Sequence, residues 1–174
     1  SSWPNTGEHI LASFDEDSIV VYQAYKTSIA SHAVTHQSFG GDFSYNRMSW
    51  IKTNFLWMMY RSGWATKENQ EAILAIRISR TFFDEIVIKA VHAQFQAECY
   101  ANTEAWKNAL QKSDVRLQWD PDHSPSGERQ ARRAIQLGIR GETLRRYGQN
   151  AIERIDDISD YVARERTKIE NRID

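Results

Sequence analysis

The chain has 174 residues, 41% hydrophobic and 26% charged, with a formal net charge of −1. That balance excludes a disordered chain, and the length fits one domain with a sizeable core. A charge so near zero excludes a global field that draws the chain to nucleic acid or membrane, so any anion site has to come from local clustering.

Residues 1–18 read as an irregular arm, with Trp3-Pro4, Gly7 and the acidic run Asp15-Glu16-Asp17, and residues 19–174 as a single domain. Ile19 to Ala24 is β-branched and nearly continuous in apolar character, as a central strand is. Thr27 is placed to cap a helix running to about Gln37, and Gly40-Gly41 ends that unit. Met48 to Lys52 reads as a second strand. Thr53 then caps a helix from Asn54 to Ser62 that Gly63 closes.

The stretch Arg47–Trp64 holds three of the six tryptophans and mixes them with Arg47, Lys52 and Arg61. Indole faces beside cationic groups suit planar, anionic ligands such as nucleotides, through stacking and charge-assisted hydrogen bonds. At about 100° per residue, Trp57, Arg61 and Trp64 share one helix face, with Phe55, Met58 and Met59 on the core side.

Ala72 to Ile78 reads as another central strand, in which Arg77 needs a partner. Thr81 to about Ala97 has a helical pattern, and so has Thr103 to Leu110. Val115 to Trp119 alternates as a half-buried strand, and it runs into Asp120–Gly127, the most loop-like stretch of the chain. Asp120, Asp122 and His123 lack the fixed spacing of a metal site, so no metal is expected. Arg132 to Ile139 is a strand with Ile135, Leu137 and Ile139 on one side. Ala134 and Gly138 flank Gln136 on the other side and leave room for something to approach it. A short helix over Gly141–Tyr147, a strand over Ala151–Asp156 and a helix capped by Ser159 complete the chain.

Strands and helices alternate with irregular crossover spacing. This favours an α+β domain with a mixed, split β-sheet flanked by helices over a doubly wound fold. No phosphate loop, nucleophile elbow or zinc-protease helix is present. Cys99 is the one cysteine, which leaves no internal disulfide and suits a reducing, cytoplasmic setting. No apolar run approaches the ~18 residues of a membrane span, so no membrane partner is expected.

Four segments carry a resemblance: Val21-Tyr22-Gln23-Ala24-Tyr25, the Arg47–Trp64 stretch, Gln118-Trp119-Asp120-Pro121 and Arg133-Ala134-Ile135-Gln136-Leu137-Gly138. On these the chain is identified as a member of the domain-of-unknown-function family 4291, from about Ile19 to Asp160. More distantly, the Tyr-x-Ala strand end, the helix after it and the turn near Phe39 resemble the opening of ADP-ribosyltransferase-like domains. That resemblance implies NAD, as substrate, bound in a cleft between two small sheets, in a fold shared with RNA 2′-phosphotransferases. It puts Gln23 where those domains commonly carry a nucleotide-contacting His. It aligns Gln136, or less well Glu142, with their catalytic Glu.

The site so implied has Tyr22, Gln23 and Tyr25 along the first strand end and Trp50, Trp57 or Trp64 stacking on a ring. Arg47, Lys52, Arg61 and Arg133 hold phosphate. The loop residues Trp119 and His123 complete the rim, and Gln136 or Asp120 orients the ribose as the glycosidic bond breaks. The alternative is a non-catalytic RNA- or nucleotide-binding module built from the same groups. A weaker one is a protein-interaction surface rich in Trp and Arg.

Overall fold

The computed structural model describes residues 3–173. Its eight strands and six helices form one α+β domain around a mixed sheet. The strands are β1 (Gly7–His9), β2 (Ser18–Tyr25), β3 (Ser49–Lys52), β4 (Ala72–Ser79), β5 (Val91–His92), β6 (Val115–His123), β7 (Arg129–Ile139) and β8 (Ile152–Asp157). The helices are α1 (Thr27–His36), α2 (Phe55–Ser62), α3 (Arg80–Lys89), α4 (Thr103–Lys112), α5 (Gly141–Arg146) and α6 (Ser159–Ile173), with a wider π turn at Tyr147–Ala151 after α5.

The sheet runs β5-β6-β7-β3-β2-β4-β8. β1 and β5 join their neighbours in parallel, and the other pairings are antiparallel. β7 is long enough for β3 to cover Gln136–Ile139 and β1 to cover Arg132–Ala134 along one edge. β2 and β3 register through one pair, Tyr22 with Lys52. The sheet is therefore continuous but pinched, and its halves splay apart where β2 ends and β3 begins.

Alternation along the strands sorts side chains onto two faces. Val21, Ile51, Ile76, Ile135, Leu137 and Ile139 form the larger core with Ala30 and Ala33 of α1, Phe82, Phe83 and Ile86 of α3, and Leu144 of α5. On the opposite face Ile73 packs with Met58 and Met59 of α2 and Val162 of α6. Arg77 finds its partner in the arm, with Nη1 2.9 Å from Asp15 Oδ2.

Several sequence expectations are corrected. The arm is not wholly irregular, because β1 docks along β7. Asn54, not Thr53, caps α2, its Oδ1 accepting from the Trp57 N–H at 2.9 Å. Lys26, not Thr27, stands at the N-cap of α1, without a side-chain cap bond. The helical pattern over Thr81–Ala97 stops at Lys89, because tertiary hydrogen bonds claim the residues beyond it. Ala93 N–H donates to Leu117 O at 2.8 Å and Trp106 Nε1 to His92 O at 2.8 Å. The stretch from Asp120 to His123 is strand rather than loop. β6 continues through it with a register shift at Pro121–His123, the kind of irregularity where a strand accommodates proline. The turn is confined to the residues around Ser124–Glu128, where Gly127 N–H bonds Ser124 O at 2.9 Å.

At the far edge, Gln37 closes α1 in the left-handed region (φ 53°). Its amide accepts from Ile155 N–H at 2.8 Å and donates to Ile155 O at 3.0 Å.

A basic cleft at the pinch of the sheet

Where β2 and β3 splay apart, a cleft of about 730 Å³ opens. Its walls are the β2 end (Gln23 to Lys26), the segment Asp42–Ser44 after the Gly40-Gly41 turn, and Arg47 to Trp50 entering β3. Lys52 at the end of β3, Met58 and Arg61 of α2, Gln136 of β7 and the turn residues Asn69 and Gln70 close it. Seven of the residues singled out in the sequence thus come together: Gln23, Tyr25, Arg47, Trp50, Lys52, Arg61 and Gln136.

Lys52 is the centre of the electrostatics. It is 6% exposed, and burial, helped by the like charge of Arg61 and opposed by Asp120, holds its ammonium down to about 8. Among the described residues, none of Lys52, Arg47 and Arg61 forms an ion pair. The carboxylate in the cleft wall, Asp42, is already held by Lys26 at 3.0 Å. Lys52 and Arg61 are thus neighbouring cations without a direct ion pair among the described residues, one of them desolvated and facing only the more distant charge of Asp120.

The two glutamines have fixed tasks. Gln23, 3% exposed, gives its Nε2 hydrogens to Tyr25 OH (2.7 Å) and Trp50 O (3.1 Å), and its Oε1 accepts from Tyr147 OH (2.6 Å). It is a clamp across the splayed strands, and both its donors are committed. Gln136 donates Nε2 to Asp120 Oδ2, while Gln118 Nε2 holds Asp120 Oδ1 at 2.9 Å. Cross-strand pairing sets Lys52, Gln136 and Gln118 in a row, with Asp120 anchored at its end. Burial pushes the Tyr25 and Tyr147 hydroxyls well above the usual phenol range, so both stay protonated donors.

Trp50 has a platform of its own. Gly138 lies beneath it, and a Cβ there would meet the indole at 2.8 Å and the Met48 sulfur at 2.6 Å. The space that Gly138 leaves beside Gln136 is filled by this indole.

The remaining sequence candidates lie elsewhere. Tyr22 packs edge-on against Phe55 (centroids 5.5 Å apart) in the smaller core. Trp64 joins the same core, and its carbonyl accepts from Arg166. Trp57, 8% exposed, packs inward beside His123 (centroids 5.7 Å apart), so the Trp57–Arg61–Trp64 face is not a single surface. His123 lies flat against Tyr60 at 3.6 Å, and burial lowers its pKa. Trp119 pairs with Ile135 and packs on the larger core. Arg133, one residue out of phase with Gln136 and so on the other face, donates to Trp119 O at 3.1 Å. Asp120 does not line the cleft; it is bonded to Gln136, which does, and its charge acts on Lys52.

Sequence reasoning passed over Met48, Asp42, Phe43, Asn69, Gln70 and the Tyr147 clamp. The signal for Asn69 was the polar turn it sits in, where its φ is 61°; nothing local marks Tyr147. Among the described residues no group of three or more His, Cys, Asp or Glu side chains comes together to hold a metal, and no helix is long and apolar enough to cross a membrane.

Fold and cleft together define a single-domain α+β protein with a basic, aromatic-walled cleft at a pinch in a mixed sheet. Residues 9–173 match the family described as a domain of unknown function (DUF4291), and the chain belongs to that family. No curated protein matches it.

Proposed function

We propose that the chain is a nucleotide-binding enzyme of the ADP-ribosyltransferase type, taking NAD as substrate in the cleft at the β2–β3 pinch. The observation that carries the reading is the desolvated Lys52 beside Arg61, with Arg47 at the mouth and, among the described residues, no direct ion pair to any of the three. A diphosphate supplies that counter-charge, and charge-assisted bonds to it are the strong kind. The Trp50 face offers a stacking surface for a base or nicotinamide ring. Asp120, held by the Gln118 and Gln136 amides, supplies negative charge along the same strand row as the nicotinamide–ribose bond breaks and the ribose carbon becomes cation-like.

The alternative is binding of a nucleotide or an RNA end without turnover. It is favoured by the commitment of both glutamine amides, Gln23 to its clamp and Gln136 to Asp120. Incubating the protein with NAD, with and without RNA, and following nicotinamide release separates the two. Release that depends on Lys52 supports the enzyme. A flat trace in both conditions, with nucleotide binding retained, supports the binding module.

A further inference from the structure

The Lys52 amine carries chemistry that charge alone does not use. It stands between Tyr22 of β2 and Gln136 of β7 across the ladder and is 6% exposed. A lysine so buried ordinarily ends on a partner. Among the described residues the Lys52 ammonium has neither an ion pair nor a hydrogen bond. Nor is it sealed in. Among the described residues, the buried side-chain atoms that lack both a partner and solvent are Thr53 Oγ1, Asn54 Nδ2, Trp57 Nε1 and His123 Nδ1. Lys52 Nζ is not one of them, so it keeps a contact with solvent, and the cleft that Lys52 lines supplies it.

The surroundings favour the neutral amine. Burial, and then the like charge of Arg61, lower the Lys52 pKa to about 8 against the pull of Asp120. At pH 7 about a tenth of the Lys52 side chains are therefore neutral, against about one in 3,000 for an ordinary lysine. A lysine desolvated beside a second cation is the arrangement that makes an amine nucleophilic near neutrality. The arginines then have a separate use. Arg61 and Arg47 line the same cleft, and a guanidinium stays charged and grips phosphate through paired N–H groups. The cleft, about 730 Å³, has room for a small ligand that spans both.

We propose that Lys52 is an imine-forming amine for an aldehyde or ketone that carries a phosphate, with Arg61 and Arg47 holding the phosphate. The amine lone pair adds to the carbonyl carbon, and the carbonyl π pair moves to oxygen. One amine proton passes to that oxygen, giving a carbinolamine. The nitrogen lone pair then expels the oxygen, which takes the second amine proton and leaves as water. One carbonyl and one amine thus give one imine and one water, with no oxidation or reduction. Near neutrality Lys52 is present in both forms, so this reactivity goes beyond the nucleotide reading and does not depend on it.

The test is treatment of the protein at pH 7 with equimolar pyridoxal 5′-phosphate, trapping of the imine with borohydride, and peptide mapping by mass spectrometry. Lys52 should take the label roughly tenfold faster or more than the exposed Lys67, Lys89 and Lys168. Label spread over the exposed lysines with Lys52 unmodified would overturn the proposal and leave nucleotide binding standing. Pyridoxal, which lacks the phosphate, should label Lys52 roughly tenfold more slowly than its phosphate ester. Equal rates would overturn the role given to Arg61 and Arg47. Saturating ADP should slow the labelling of Lys52. An undiminished rate would support the reactive amine while counting against a nucleotide in this cleft.

Discussion

Replacing Lys52 by methionine should stabilise the protein while weakening its anion site. Burial, chiefly, holds the Lys52 ammonium down to about 8 from 10.5. One pKa unit corresponds to about 1.4 kcal/mol, so the charged form is disfavoured in the folded protein by about 3 kcal/mol. Between pH 8 and 10.5 the unfolded chain keeps a proton that the folded protein has already released, so stability rises with pH across that window. Below it the penalty is fully present. The buried Tyr25 and Tyr147 act in the opposite sense at higher pH, since the folded protein keeps protons that the unfolded chain loses. Subtracting the wild-type curve from that of Lys52→Met removes their effect. Methionine has a similar reach without the charge, so the gain at pH 7 should be about 3 kcal/mol, shrinking as the pH rises above 8 and nearly gone by 10.5. At roughly 2–4 °C per kcal/mol for a domain of this size, that is a rise of about 6–12 °C in Tm. The assay is thermal unfolding at pH 7 and pH 10, with ADP titration alongside. An unchanged or lower Tm at pH 7 would refute the desolvation argument. A variant that binds ADP as tightly as the wild type would refute the assignment of Lys52 to the anion.

Three further outcomes are expected. Arg61→Ala should weaken ADP binding by about 1 kcal/mol, less than a buried charge would, because Arg61 is exposed at the mouth; calorimetric titration at low and moderate salt measures it, and the loss should shrink as salt rises. Gly138→Ala sets a Cβ against the Trp50 indole at 2.8 Å, so overpacking should cost about 1–3 kcal/mol in urea unfolding and shift the Trp50 signal. Gln23→Leu leaves the Tyr147 and Tyr25 hydroxyls and Trp50 O without their shared partner; a loss of at least about 2 kcal/mol in urea unfolding is expected, and a neutral variant would show that the clamp is dispensable.

Much of the fold was legible in the sequence because its elements announce themselves by period and cap. β2 and β4 are rich in β-branched residues, β7 alternates Ile135, Leu137 and Ile139 with Gln136 and Gly138, and α2 is closed by a glycine in the left-handed region (φ 58°). The failures fall where distant partners overrule local pattern. Val91 and His92 sit in a helical run, yet β6 draws them out as a parallel strand. Asp120–His123 carries the composition of a loop, but Arg132 meets the buried Asp122 carboxylate at 2.5 Å and β7 supplies a ladder to pair with.

The cleft was legible in part for the same reason. Arg47, Trp50, Lys52 and Arg61 are near neighbours in the chain, so one strand–helix corner delivers them together. Trp57 and Trp64 share their composition, but helix phase and the end of α2 turn both inward. No single sequence reveals that Gln23 would be met by Tyr147, 124 positions away.

The contact between Gln37 and Ile155 has a consequence for how copies of this chain behave when crowded. β8 is the outermost strand beside β4, and such a margin normally offers its main chain as a template for another strand. Here a side-chain amide already occupies both backbone groups of Ile155, imitating one rung of a neighbouring strand. The exposed, charged Glu153 and Arg154 stand just before it. A second chain seeking to extend the sheet would find its register interrupted in the middle of the strand, so Gln37 works as a stopper against edge-to-edge self-association.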